Sequence, residues 1–120
     1  MNSFPRLYIR DILITVLLFF TLSGTAQQTV RDSLEKIIST KELKNDFSTK
    51  DTLYISLLNK LGNELRYYNT DSLLHISKNA LKYSNEANYN SGKINALISI
   101  GIYYSDQGSH KKGIAYFKKA

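Results

Sequence analysis

Few residues in this 120-residue chain have the types and spacing that chemistry requires. The run Asn90-Ser91-Gly92-Lys93 matches the end of a phosphate-binding loop, but the earlier glycine of that motif is missing and no strand pattern precedes it. The same run suits a turn between two helices, and we interpret it as an inter-helix turn.

The chain also lacks the residues that metal binding and nucleophilic catalysis require. His75 and His110 are the only histidines and the chain has no cysteine, which is too few ligands for a His-based metal site without several carboxylates beside them. No serine has an identifiable base and acid with which to form a catalytic triad. We therefore expect no enzyme, no metal and no cofactor within these 120 residues, although the question stays open for a longer parent protein.

Tyrosines and lysines are the remaining candidates for ligand contact. The pairs Tyr67-Tyr68 and Tyr103-Tyr104 could stack on a ligand, but aromatic residues in helix pairs usually serve packing. The formal net charge is +6, and basic residues cluster only at Lys111-Lys112 and Lys118-Lys119. A solvated helix face explains these lysines, so we do not expect a nucleic-acid partner.

The N-terminus has the three-part pattern of a secretion signal. Arg6 and Arg10 supply the positive start, residues 12–22 are uncharged and mostly apolar, and small residues lead up to Ala26. This pattern predicts cleavage between Ala26 and Gln27, export, and a periplasmic location. Because no cysteine follows the apolar run, the exported protein is not expected to be a lipoprotein.

An uncleaved membrane anchor is the alternative interpretation. Residues 12–26 would form a helix about 22 Å long, at roughly 1.5 Å per residue, whereas a hydrocarbon core is about 30 Å thick. The run is short for a membrane span, so cleavage is the favoured prediction.

Downstream of the signal the sequence nearly repeats itself once. The run Leu57–Gly62 returns as Leu97–Gly101, in which Gly101 follows Gly62 by 39 residues, and Ala80 returns as Ala120 after 40. A period of this size, built from two amphipathic helices, is typical of a helical solenoid. Such a fold is chiefly a surface, and it favours an interaction protein over an enzyme.

Apolar spacing predicts an all-α chain with short polar breaks. Thr29 to Asp32 has the pattern of a capping box and should start a short helix that ends near Leu43, with a polar linker at 44–50. Further helices are predicted at 51–68, 71–86, 93–107 and from 110 onward, with Gly108 in the left-handed conformation that ends a helix. The predicted parts are a signal peptide (1–26), an N-terminal helix and linker (27–50), a first repeat (51–89) and a second repeat (90–120).

These repeats resemble the tetratricopeptide repeat. The residues that carry the resemblance and are expected to pack the paired helices are Leu58, Leu61, Gly62, Leu65, Ala80, Leu97, Gly101, Tyr104, Phe117 and Ala120. Gly113 stands where the family usually has alanine, and the first copy is weaker because Leu73 and Ser77 take its small and aromatic places. The resemblance implies antiparallel helix pairs stacked as a right-handed solenoid that is incomplete at its C-terminal end. Gly62 and Gly101 should lie at close helix contacts.

One polar stripe on the first repeat could line a binding groove. Its members are spaced three, four and three residues apart, so they share one helix face: Ser56, Asn59, Asn63 and Arg66. The matching positions of the second copy are Asn95, Ile98, Ile102 and Ser105. The resemblance implies that these eight residues line a concave groove for an extended peptide. An ordinary polar helix face is the alternative.

The resemblance also implies a function. Tyr67–Ser72 is similar to the first repeat of exported bacterial signalling proteins, in which such repeats precede a membrane helix and a histidine kinase or DNA-binding domain. A sensing or interaction module of that type, with a protein or peptide ligand, is expected, and a stand-alone periplasmic scaffold is the alternative. Self-association through the open C-terminal end is also anticipated, and membrane contact only through a longer parent chain.

Export can be tested directly. Expressed with its own N-terminus in a Gram-negative host, the protein should accumulate in the periplasm with Gln27 as its first residue, because the signal is removed after Ala26. N-terminal sequencing of the periplasmic fraction checks this. Material that keeps Met1 and fractionates with the membrane would contradict it.

Overall fold

The computed structural model describes residues 6–44, 48 and 50–120, without the side chains of residues 6, 7 and 19–27. These described residues form five α-helices and no strand, so the predicted all-α class is confirmed for them. The helices are α1 (Arg6–Leu43), α2 (Thr52–Leu65), α3 (Thr70–Glu86), α4 (Asn90–Asp106) and α5 (His110–Lys119). The chain divides into two units, residues 1–30 and residues 31–120.

In the first unit, the side chains that the structure describes lie in contact with solvent. All of residues 8–18 and 28–30 are exposed, and the first stretch is rich in isoleucine and leucine. Over the described part of the chain, no helix combines the length and the apolar character needed to cross a bilayer. The side chains around the predicted cleavage point after Ala26 lie outside the description.

The predicted helix start at Asp32, capped by Thr29, is wrong. Helix α1 already contains Thr29 and Asp32 and continues to Leu43, where the predicted end is confirmed. Neither proline nor glycine occurs between residues 25 and 43, so the sequence has nothing that would interrupt a helix there. The capping pattern is therefore a coincidence of polar residues inside a helix.

The end of α1 is joined to α2 by polar contacts in the second unit. Asp51 caps α2, since its Oδ1 accepts hydrogen bonds from the backbone N–H of Leu53 (2.9 Å) and Tyr54 (3.2 Å). Its Oδ2 lies 3.3 Å from Lys41 Nζ. Burial opposes ionisation of Asp51, but the hydrogen bonds from Tyr54, Lys41 and Leu53 outweigh it and lower the pKa of the carboxyl. The Tyr54 hydroxyl donates to Glu42, and burial together with that bond raises the pKa of Tyr54.

Two helix boundaries differ from prediction because of local capping. Helix α2 ends at Leu65 rather than at residue 68, because Asn69 leaves the helix to cap α3, with its Oδ1 accepting from Ser72 N–H at 3.0 Å. Helix α4 begins at Asn90, directly after Asn88 takes a left-handed conformation with φ 51°. The predicted turn at residues 90–93 is therefore wrong, since these residues form the first turn of α4.

The core of the second unit lies between α2, α3 and the helices on either side of them. Helix α2 packs on α3, α3 on α4, and α4 on α5, while α2 also meets α4. The buried apolar side chains of the central cluster, with α1 contributing the first of them, are Ile38, Tyr54, Leu58, Leu61, Leu65, Leu73, Ala80 and Ala96. Helix α5 runs antiparallel to α4, because Phe117 lies at Gly101 and Gly113 lies at Ser105.

Small residues allow these helices to approach closely. A Cβ built on Gly101 would lie 2.5 Å from the Phe117 ring, and one on Gly62 would lie 3.3 Å from Ser77 Oγ. Both glycines therefore occupy helix contacts, as predicted. Gly108 has φ 77°, which confirms the left-handed position expected between α4 and α5.

Among these glycines, Gly92 makes the closest contact with side chains that are fully buried. A Cβ there would lie 2.6 Å from Ser84 Oγ and 2.8 Å from Ile55 Cγ2. Both of these side chains are fully buried. The first turn of α4 can therefore reach α2 and α3 only because residue 92 has no side chain.

We expect Gly92→Ala to lower the free energy of unfolding by about 1–3 kcal/mol, since the added methyl group overpacks the contact with Ile55 and Ser84. Alanine otherwise stabilises a helix over glycine by about 1 kcal/mol, so the sign of the change is informative. Urea unfolding measures it, with Lys93→Ala, at the exposed neighbouring position, as the control. A Gly92→Ala protein as stable as the parent would contradict the described contact.

Candidate protein-interaction site

The polar stripe predicted on α2 faces α4. Asn59 Nδ2 donates to the backbone carbonyl of Gly92 at 3.1 Å, near the start of α4. One turn earlier on α2, Ser56 Oγ lies 3.4 Å from the Tyr89 hydroxyl, at the N-cap of α4. The N-terminal half of the stripe therefore bonds the N-terminal end of α4.

The second half of the stripe continues along the same helix. Ser99 Oγ donates to Asn63 Oδ1 at 3.2 Å. Arg66 forms a two-pronged ion pair with Asp106, with Nε–Oδ2 at 3.0 Å and Nη2–Oδ1 at 3.2 Å. Because the bonded residues advance together along both helices, α2 and α4 run parallel. We call these four contacts the α2–α4 ladder.

The ladder changes the interpretation of the predicted groove. Ser56, Asn59, Asn63 and Arg66 all contact α4 or its N-cap. Asn63 is nevertheless exposed, and Ser56 and Arg66 are half-buried, so a groove lined by these three residues stays a prediction. Asn59 is buried, and a ligand cannot reach its amide in this arrangement. The sequence placed the four residues on one face correctly, but spacing within one helix does not reveal what lies opposite.

Asn59 carries an unusual cost. Its Oδ1 is buried and has no hydrogen-bond partner among the described residues, while its Nδ2 is paired with Gly92. An unpaired buried carbonyl costs about 1–3 kcal/mol, which an apolar side chain would avoid. The Asn59 amide therefore fixes how α4 is oriented on α2 and adds little to the free energy of unfolding.

Hydrogen bonds shift the pKa values of the arginine and the tyrosine at the two ends of the ladder. The hydrogen bond to Asp106 raises the pKa of Arg66, so the guanidinium stays charged across the ordinary pH range. Arg66 also lies 5.4 Å from the ring centroid of Tyr67. At the other end, hydrogen bonds with Ser56 and Ser91 lower the pKa of the Tyr89 hydroxyl.

The corresponding positions on α4 have a different environment. Asn95 and Ile98 are exposed, and Ile102 and Ser105 are half-buried. Ser105 lies against Gly113 of α5. This half of the predicted groove therefore presents chiefly Asn95 and Ile98 to solvent.

The predicted packing residues are mostly inside. Those that are buried are Leu58, Leu61, Gly62, Leu65, Ala80, Leu97 and Gly101. Tyr104 is half-buried and stacks on Tyr116 with 5.5 Å between ring centroids, whereas Phe117 and Ala120 are exposed. Sequence reasoning missed Ile55 and Ala96, although Ile55 stands three residues before Leu58 and shares its helix face.

Other chemistry in the second unit is sparse. A surface cavity of about 460 Å³ is lined by residues of α1, α2, α3 and the turn between α2 and α3, among them Arg31, Glu35 and Tyr68. Its one arginine already has carboxylates beside it, with Asp32 at 3.4 Å and Glu35 at 4.0 Å. Within the described ranges, no cluster of three or more His, Cys, Asp or Glu residues could hold a metal ion.

Comparisons of the chain with protein-family models, with curated proteins and with solved structures found no match. The chain's own residues and its internal repeat are therefore what indicates its function.

The ladder can be tested through its ion pair. A double-mutant cycle with Arg66→Ala and Asp106→Ala should give a coupling free energy of about 0.5–1 kcal/mol, because the pair is two-pronged but partly exposed. Urea unfolding of the four proteins measures the coupling, which should fall toward zero at about 1 M salt.

The same cycle with Arg66→Ala and Asp71→Ala is the control, since Asp71 is an exposed carboxylate at the start of α3. Its coupling should be negligible. Equal coupling in both cycles would show that α2 and α4 do not meet at Arg66 and Asp106.

Proposed function

We propose that this chain is an exported, tetratricopeptide-like module that binds a protein, and that it forms the N-terminal periplasmic part of a membrane signalling protein of the histidine kinase type. The single observation that carries the proposal is the recurrence of one helix pair. Helices α2 and α3 are followed by α4 and α5 with the same close-contact glycine, Gly62 in one pair and Gly101 in the other.

The relation between the two pairs supports a solenoid. Helices α2 and α4 hold equivalent places in their pairs and run parallel, which is the arrangement that translation of one repeat unit generates. In a solenoid each repeat contacts mainly its neighbours, so successive repeats would build an extended surface. Extended surfaces of this kind bind other proteins and rarely carry catalytic groups.

Export is supported by the first unit. Its described apolar side chains, among them Ile12, Leu13 and Leu17, are exposed. An exposed apolar segment promotes aggregation of a folded protein unless another component, such as the export machinery, binds it.

A stand-alone periplasmic scaffold is the second candidate. It has the same signal and the same repeats, and it differs only in lacking an output domain. The gene sequence beyond codon 120 separates the two candidates. A further hydrophobic span followed by a kinase core would identify the sensor, and a stop codon after a few more repeats would identify the scaffold.

Binding of a protein partner can be tested in cells. A photo-cross-linking amino acid at position 95, exposed on α4, should give one adduct with a protein of the cell envelope when the full chain is expressed in its own host. Mass spectrometry identifies the adduct, and the purified partner should reproduce it in vitro.

Position 78, exposed on α3, is the control site and should give no such adduct. If neither position gives an adduct, both candidate functions are contradicted, because each requires a bound protein partner. An adduct with a soluble cytoplasmic protein alone would contradict the exported location.

A further inference from the structure

The surface cavity between α1, α2 and α3 has the size and the mixed wall of a small-molecule site. Its volume of about 460 Å³ lies within the range of roughly 300–1,000 Å³ that is usual for such sites. Charged groups reach it from α1, and apolar side chains reach it from α2 and α3. An apolar wall with a few polar groups is what a small amphipathic ligand requires.

The apolar part of the wall is fixed by the core. Leu61 and Leu65 of α2 are buried members of the central cluster, and Ile76 of α3 packs against that cluster. All three also line the cavity. Because the core already holds these side chains in place, a ligand would find the apolar wall formed and would lose little free energy in ordering it.

The charged part of the wall is a weak ion pair on α1. Arg31 Nε lies 4.0 Å from Glu35 Oε1, whereas a strong charge-assisted hydrogen bond is about 2.7–2.9 Å long. The arginine also precedes the glutamate, which is the less favourable order for a pair four residues apart on a helix. Both groups therefore retain the capacity to bond a further molecule.

Arg31 is held at the edge of the cavity by its neighbours. Its guanidinium carbon lies 5.0 Å from the ring centroid of Tyr68, and its side chain is only 19% exposed. Asp32 is a second carboxylate beside it, with 3.4 Å between Nη2 and Oδ1. A stacked guanidinium loses less conformational freedom on binding than a free arginine side chain does, so Arg31 is prepared to bond a carboxylate.

The two opposite charges select the class of ligand. A simple anion on Arg31 would be repelled by Glu35, and a simple cation on Glu35 would be repelled by Arg31. A neutral apolar molecule would remove water from both charged groups without replacing its hydrogen bonds. A molecule with an ammonium group and a carboxylate on one carbon satisfies both, because its charges lie side by side as those of the protein do.

We propose that this cavity binds a free α-amino acid with an apolar side chain. The ligand carboxylate bonds Arg31, and the ligand ammonium group bonds Glu35. The ligand side chain lies on Leu61, Leu65 and Ile76. This goes beyond the proposed function, because it adds a small-molecule ligand at α1–α3 to the protein partner tested at α4.

Four probes separate the contributions of the two charges and of the apolar group. L-Leucine carries all three, 4-methylpentanoate lacks the ammonium group, 3-methylbutylamine lacks the carboxylate, and glycine lacks the side chain. In NMR titrations of the full chain, followed at the backbone amides of residues 68–72, L-leucine should bind with a Kd of about 1 mM or below. The other three should each bind at least about tenfold more weakly, because each loses one set of contacts.

Two variants assign the charges to their residues. Arg31→Gln should weaken L-leucine at least about tenfold without weakening 3-methylbutylamine, which has no carboxylate to lose. Glu35→Gln should weaken L-leucine similarly without weakening 4-methylpentanoate. Arg66→Gln is the matched control, since Arg66 also lies beside a carboxylate and a tyrosine ring, and it should leave the Kd of L-leucine unchanged. Circular dichroism melting verifies that each variant is folded.

The remaining outcomes contradict the proposal. Absence of saturable shifts with L-leucine up to about 10 mM would remove the amino-acid site. Equally tight binding of 4-methylpentanoate would indicate an anion site, and equally tight binding of 3-methylbutylamine a cation site. L-Leucine binding that survives Arg31→Gln would place the site elsewhere. The cross-link expected at position 95 depends on none of these results, so the proposed function is tested separately.

Discussion

The close approach of α4 to both α2 and α3 is the contact on which the second unit depends. It is possible because Gly92 has no side chain, so the backbone of α4 can press against Ile55 and Ser84. The same approach brings the Gly92 carbonyl within reach of the Asn59 amide. Without it, the two helix pairs would share no core, and each pair alone would bury too little apolar surface to be stable.

Much of the fold follows from local sequence signals. Asp51 and Asn69 each cap a helix through their side chains, and Gly108 supplies the left-handed residue between α4 and α5. These features depend on a few neighbouring residues, so reading the chain locally recovers them. The start of α4 could not be found in this way, because Tyr89 gives it no side-chain cap and Gly92 reads as a turn residue. Only the packing against Ile55 explains a glycine in the first turn of a helix.

The candidate site shows a different limit of sequence reasoning. Helical spacing places Asn59, Asn63 and Arg66 on one face, and the structure has them there. Their bonding partners lie 33, 36 and 40 residues further along the chain, at Gly92, Ser99 and Asp106. A polar stripe that lines a groove and one that bonds a neighbouring helix have the same pattern in one sequence. The repeat period could have distinguished them, since it places a second helix beside the first.

The polar composition of the α2–α4 ladder has a physical rationale. Within one chain α2 and α4 are already held near each other, so their contact needs orientation more than binding energy, and the Asn59 amide with the Arg66–Asp106 pair supplies orientation. Charged and amide groups cost desolvation, which a tethered contact can tolerate. A separate molecule must first offset the entropy lost on association, and apolar burial is the main source of that free energy. The tether between α2 and α4 removes that requirement, so a largely polar contact is enough to align the two helices.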